Sequence, residues 1–111
     1  ETVKLMRKNV LKDGVLVDLY GPSMQGVGFG MDFAVILDPA KAETPQGKDS
    51  YYWGGAFGTW FWIDPTNDLV FVGMIQNLNG SIPGRDTPEV RSISYPLVYG
   101  ALTDTGKQDA Q

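Results

Sequence analysis

At 111 residues the chain is long enough for one domain at most, and its net charge of −4, with acids and bases interspersed, supplies no basic footprint for nucleic acid. There is no cysteine, so disulfides and thiolate metal sites are excluded, and no histidine, which removes the commonest general base and the commonest zinc ligand. No apolar run reaches the length of a membrane-spanning helix and no signal-peptide pattern is present, so neither membrane, metal nor cofactor is expected as a partner.

In chain order, Thr2–Asn9 predicts a short helix, with Val3 and Met6 on one side and basic residues near its end, where they suit the helix dipole. Asp13-Gly14 and Gly21-Pro22-Ser23 are turn signals, and Val15–Tyr20 between them reads as a brief strand or an apolar loop. Gln25–Leu37 predicts a strand. Gly26, Gly28 and Gly30 leave one of its faces without side chains, while Val27, Phe29, Met31, Phe33, Val35 and Leu37 fill the other. A dinucleotide-binding glycine loop is rejected, because position 33 is Phe and the continuation is strand-like rather than helical. A bare face of this kind lets another backbone or a helix press close. Asp38–Ser50 is a polar loop expected to be exposed.

The centre of the chain is Tyr51–Ile63 and Leu69–Gln76, joined by Asp64-Pro65-Thr66-Asn67-Asp68. Aromatic and β-branched runs around turn formers predict two antiparallel strands. Both odd and even positions of the second run are apolar, so the pair is expected mid-sheet with both faces covered. Gly54, Gly55 and Gly58 admit two readings: a bulge between packed aromatics, or bare peptide N–H groups offered to a ligand between the walls of Trp53 and Phe57. After the connector Asn77–Arg85, a helix is predicted over about 87–102. Asp86 or Thr87 is its cap, Pro88 lies in its first turn, and Glu89 completes a capping box. Val90, Ile93, Leu97, Val98 and Ala101 form its apolar stripe, and Pro96 predicts a kink or break near Ser94–Tyr95. The polar tail Thr103–Gln111 is expected to fray.

The expected fold class is α+β: one segment over 1–111, a three-stranded antiparallel meander (about 25–37, 51–63 and 69–76) between N- and C-terminal helices. One helix covers one face of such a sheet. The other face calls for material that this chain does not supply, and a start at Glu1 rather than Met fits a piece of something longer.

The run Gly26-Val-Gly-Phe-Gly-Met-Asp-Phe-Ala-Val, then Tyr52-Trp-Gly-Gly-Ala-Phe-Gly-Thr-Trp-Phe-Trp-Ile-Asp-Pro, then Leu69-Val-Phe-Val-Gly-Met-Ile-Gln resembles a known group. It is similar to the C-terminal part of the serine β-lactamase and penicillin-binding-protein superfamily, nearest to the class C-like carboxylesterases called family VIII esterases. The resemblance implies the C-terminal portion of a β-lactamase-like α/β fold and hydrolysis through an acyl-enzyme. It also implies three motifs: Ser-x-x-Lys, a Tyr-x-Asn-like element, and Lys-Thr-Gly or a variant. Only the third has a counterpart here, with Trp53 in the place of the lysine, Gly54 in that of the threonine and Gly55 at the glycine. By the same resemblance the backbone N–H of Ala56 is one of two oxyanion-hole donors and Gly55 opens the strand beside it. Trp53, Gly54 and Phe57 then line the substrate cleft.

No serine in the chain is followed three residues later by lysine, and no tyrosine is followed two later by asparagine. The chain is therefore expected to be inert alone. Its partners would be a missing N-terminal portion carrying Ser-x-x-Lys and a small ester; the compartment, bacterial-type cytoplasm or periplasm, stays open. Tryptophan where β-lactamases keep a carboxylate-receiving lysine favours esters over β-lactams. Two other functions compete. One is a non-catalytic aromatic-rich β module binding sugars or peptides, which an exposed aromatic face would favour. The other is self-association through an unclosed sheet.

Overall fold

A computed structural model describes residues 1–18, 23–77 and 90–102. The Gly21-Pro22 turn, most of the 77–85 connector, the cap residues Asp86 to Glu89 and the tail from Thr103 lie outside the described residues. The elements are α1 (Thr2–Met6), β1 (Val27–Phe29), β2 (Ala34–Ile36), β3 (Tyr51–Gly54), β4 (Trp60–Asp64), β5 (Leu69–Gly73) and α2 (Val90–Ala101). The strands form one antiparallel sheet in sequence order, β1-β2-β3-β4-β5.

The meander is as expected, but it has five strands rather than three, because two of the long runs fold back on themselves. In the first, Gly30 N–H donates to Phe33 O at 2.8 Å and closes a tight turn over Met31-Asp32. In the second, the 54–58 glycine cluster is the turn of the β3–β4 hairpin rather than a bulge inside one strand. The predicted N-terminal helix stops at Met6 instead of Asn9. There the chain leaves the helix to lie against β1: Met31 N–H donates to Met6 O at 2.8 Å, and Val10 N–H to Phe29 O at 2.8 Å. At Gly28 and Gly30 the expected glycine-bare face is what this segment presses on, while at Gly26 the 38–42 segment does so. A Cβ at Gly30 would collide with the Met6 carbonyl, and one at Gly28 with the Asn9 side chain. Asn9 Oδ1 also accepts from Phe29 N–H at 3.0 Å, so the outer edge of β1 is tied down.

Register divides the side chains between two faces. On the first, Tyr52 lies opposite Trp62, and Trp62 opposite Phe71. Trp62 is fully buried. Its indole stacks on Phe71 with centroids 4.2 Å apart and meets the rings of Tyr95 and Tyr99 on α2. Further along the same face Val17, Val27, Ala34 and Ile36 form the buried cluster. The residues of α2 that meet the sheet are thus Ser94, Tyr95 and Tyr99, with Arg91 at the next turn, rather than the predicted apolar stripe; Ile93 and Leu97 are exposed. No break occurs at Ser94–Tyr95, and the helix continues through Pro96. Contacts on both sides of the proline hold it: Trp60 Nε1–H donates to Ser94 Oγ at 3.3 Å before it, and Tyr99 packs on Trp62 after it.

Among the described residues the second face is covered at one end only, where Phe33 packs on Tyr51 and Phe61 and the Arg7 guanidinium lies over the Tyr51 ring. The expected mid-sheet position of Leu69–Gln76 is not found. The strand ends at Gly73, β5 is the last strand of the sheet, and Val70 and Val72 are 65% and 61% exposed. The 38–50 loop is less exposed than its polarity suggests, since Gln46 and Ser50 are buried.

Candidate functional site

The β3–β4 turn is built by glycine chemistry. Gly55 N–H donates to Thr59 O at 2.8 Å and Gly58 N–H to Gly55 O at 3.1 Å. Gly58 sits at φ +98°, where a Cβ would also press on Asn77 O and Ile75, so no other residue fits without strain. Asn77 N–H donates to Phe57 O at 2.8 Å and braces the turn from the chain beyond β5. Ala56 is exposed at the crest, and among the described residues its N–H meets no hydrogen-bond acceptor.

The other residues singled out from the sequence lie at the same end of the hairpin. Trp53 ends β3 at 36% exposure, its indole edge-to-face with Phe29 at 5.2 Å, and Phe57 is 59% exposed. The space that Gly54 and Gly55 leave is filled from within this chain. A Cβ on Gly54 would sit 3.0 Å from Arg91 Nη1, and one on Gly55 2.8 Å from Thr59 Oγ1. These glycines therefore have a packing reason that needs no ligand. Trp60 and Trp62 are buried under α2, so the aromatic run presents no broad exposed platform; Trp53 and Phe57 are its open members.

Arg91 went unnoticed in the sequence. It stands at the start of α2, and its Nη2 donates to Gly55 O at 2.5 Å. A cation in the first turn of a helix runs against the dipole, and that was the available signal that its side chain has an acceptor elsewhere.

A second polar cluster lies at the far end of β4. Asp64 is fully buried and accepts five hydrogen bonds: Thr66 N–H (2.9 Å) and Asn67 N–H (3.1 Å) on Oδ1, with Gly47 N–H (2.8 Å), Asn67 Nδ2 (2.7 Å) and the Tyr99 hydroxyl (2.5 Å) on Oδ2. Burial by itself would raise its pKa, but the donors, Tyr99 first and then Gly47 and Asn67, outweigh burial and hold the carboxyl below its usual value. Burial, and next the bond to Asp64, push the Tyr99 phenol up. With its lone pairs engaged, Asp64 is a structural junction between the β4–β5 turn, the 38–50 loop and α2, not a general base. The Tyr52 phenol is pushed up to about 12, by burial and then by Tyr95, so it is protonated at neutral pH.

A cavity of about 460 Å³ lies between the 42–46 segment, Ile36, Tyr52 and α2. None of the turn residues Trp53 to Phe57 lines it. Among the described residues no cluster of acids could hold a metal ion. The turn thus offers a peptide donor and apolar walls, and neither nucleophile nor base.

No family profile matches the chain. Protein Rv1367c of Mycobacterium tuberculosis strain H37Rv is 38% identical over 82 residues, 69% of this chain and 20% of that protein. Esterase EstB of Burkholderia gladioli is 33% identical over 82 residues, 74% of this chain and 20% of EstB. Among solved structures, EstCE1, a hydrolase with promiscuous acyltransferase activity, matches with a TM-score of 0.62 and 30% identity over 85% of this chain and 23% of its own. The chain spans about a fifth of the length of the curated relatives it matches. With an esterase among its sequence relatives and a hydrolase as its structural neighbour, this sheet with its flanking helices is a segment of the β-lactamase-like esterase type.

Proposed function

We propose that the chain is the C-terminal segment of a serine carboxylesterase of β-lactamase-like build. In it Trp53-Gly54-Gly55 is the third active-site motif and Ala56 N–H one of two oxyanion-hole donors. The observation that carries this is the Ala56 amide, which is exposed, unbonded among the described residues, and presented by a turn braced on both sides. The nucleophilic serine and its lysine come from the remainder of the protein. The serine Oγ adds to the ester carbonyl as the lysine side takes its proton. The carbonyl oxygen becomes anionic and is met by Ala56 N–H and the serine's own N–H. The intermediate then expels the alcohol and leaves an acyl-serine that water hydrolyses. Trp53 and Phe57 form apolar walls beside the acyl group, and Gly55 contributes the carbonyl end of the peptide that carries the donor.

Joined to its remainder, the chain should hydrolyse p-nitrophenyl acetate with a burst of p-nitrophenolate stoichiometric with enzyme, and no turnover by the joined protein would refute the hydrolase reading. Trp53→Lys in the joined protein should raise the kcat/KM ratio of β-lactam to ester by about tenfold or more, since an ammonium can receive a carboxylate and an indole cannot. An unchanged ratio would deny Trp53 that part in substrate choice.

The open face of β5 supports the same reading from a different side. Val70, Val72 and Met74 are 65%, 61% and 82% exposed, an apolar stretch along and just beyond the last strand that is open to water. The remainder of the protein is its proposed cover. Alone, the chain should self-associate at micromolar concentration in sedimentation velocity, and Val70→Lys with Val72→Lys should return it to monomer. A sharp monomer for the unaltered chain would argue that this face needs no cover.

A further inference from the structure

We infer that Arg91 is a positioning residue for the proposed oxyanion hole: bonded to Gly55 O, its guanidinium orients and polarises the very peptide unit whose N–H belongs to Ala56. The inference rests on the function proposed above and names a part that neither the motif nor the family resemblance supplied.

The carbonyl of Gly55 and the N–H of Ala56 are two ends of one planar group, and no cis peptide bond is present among the described residues. In a trans unit the C=O and N–H point in opposite directions. A side chain that fixes the oxygen therefore fixes the line along which the hydrogen is offered. Arg91 Nη2 does so at 2.5 Å, from a partly buried position on α2. A cation on the oxygen also draws electron density through the amide, so the N–H at the other end becomes a stronger donor. A preorganised donor is what an oxyanion hole requires, because the group does not have to reorient as charge develops.

The surroundings are arranged for this contact. Gly54 has no side chain, and a Cβ there would press on Arg91 Nη1 at 3.0 Å and Cζ at 3.2 Å. Ser94 Oγ donates to Arg91 O at 2.6 Å and accepts from Trp60 Nε1, so the helix start that carries Arg91 is linked to β4. The Gly55 carbonyl also accepts Gly58 N–H at 3.1 Å, which holds it within the turn, and the preceding peptide is pinned by Gly55 N–H to Thr59 O. The Gly55–Ala56 peptide is thus held at its oxygen by the turn from one side and by the helix from the other.

The test is a double-mutant cycle in the joined protein, with p-nitrophenyl acetate as substrate. Arg91→Met should lower kcat about tenfold with KM changed by no more than about twofold, the mark of an interaction made in the transition state. Arg91→Lys, which keeps a cationic donor for Gly55 O, should recover much of the loss. In an Ala56→Pro background, where the N–H is gone, Arg91→Met should cause no further loss. If Arg91→Met costs the same factor in both backgrounds, Arg91 does not act through Ala56 and the inference fails. If Ala56→Pro is harmful and Arg91→Met is not, Arg91 is dismissed while the oxyanion role of Ala56 stands. If Ala56→Pro is harmless, the oxyanion reading itself is lost.

A measurement without turnover guards against a variant that assembles poorly. In the joined protein, ¹⁵N-labelled, the Ala56 amide resonance should move upfield in Arg91→Met and return part-way in Arg91→Lys, with the β1–β2 amides unmoved. An Ala56 resonance indifferent to Arg91 would overturn the inference.

Discussion

Asp64→Asn is expected to remove about 3 kcal/mol of folding stability, read as a lower urea midpoint at pH 7. The carboxylate is fully buried and accepts from five donors, three of them on Oδ2. Asparagine turns one oxygen into an NH₂ group, so whichever way the amide is placed, donors meet a donor. With the NH₂ at the Oδ2 position, Gly47 N–H and the Tyr99 hydroxyl lose their acceptor and the 38–50 loop and α2 loosen. With it at the Oδ1 position, Thr66 N–H and Asn67 N–H lose theirs and the β4–β5 turn loosens. The pH dependence follows from the same contacts. Although burial raises the Asp64 pKa, its donors lower it further, so the folded value lies below the unfolded one, about 3.9. Its contribution is therefore present above about pH 4 and disappears as pH falls through the folded value. Tyr99, raised by burial and by its bond to Asp64, acts in the opposite direction: its share holds below the unfolded phenol value of about 10 and fades above it. Asp64→Asn should flatten the acid limb of stability against pH. An unaltered midpoint with an unaltered acid limb would mean that Asp64 is not the junction described here.

That junction shows what the sequence made legible and what it did not. The turn Asp64–Asp68 was readable because its residue types are turn formers, and the structure has β4 and β5 paired from Asp64↔Leu69 onward. Nothing local, however, marks Asp64 as the acceptor for Tyr99, 35 positions away. The strand count was misread for a related reason. Glycine in a long apolar run signals a bulge and a reversal alike, and Gly30 N–H to Phe33 O or Gly55 N–H to Thr59 O decides between them only in three dimensions. The helix stripe was misjudged because Ile93 and Leu97 outrank tyrosine in hydropathy. Tyr95 and Tyr99 nonetheless meet the sheet, since a phenol can lay its ring on Trp62 and, at Tyr99, send its hydroxyl to Asp64. The candidate site was proposed from a short run, Trp53 to Phe57, and the structure gathers that run at the β3–β4 turn. Arg91 was not legible, because its partner is a backbone carbonyl 36 residues earlier, and carbonyls leave no mark in a sequence.

The other large effect is expected at Ala56 itself. Proline there deletes one hydrogen-bond donor and little else, because the residue is exposed at the crest of the turn and its N–H has no acceptor among the described residues. A donor of this kind is worth about 3 kcal/mol in a complete hydrolase, or a factor of roughly 10²–10³ in kcat. Folding should change little, since no hydrogen bond is lost, whereas on the proposed role the joined protein should lose one of two oxyanion donors. Ala56→Gly, which keeps the N–H and removes only a methyl group, should stay close to the unaltered enzyme. The direct measurement is kcat for p-nitrophenyl acetate in the joined protein carrying Ala56→Pro, set against Ala56→Gly. A loss of at least about a hundredfold in the first and little in the second is predicted; equal rates in the two variants would contradict the role given to this amide.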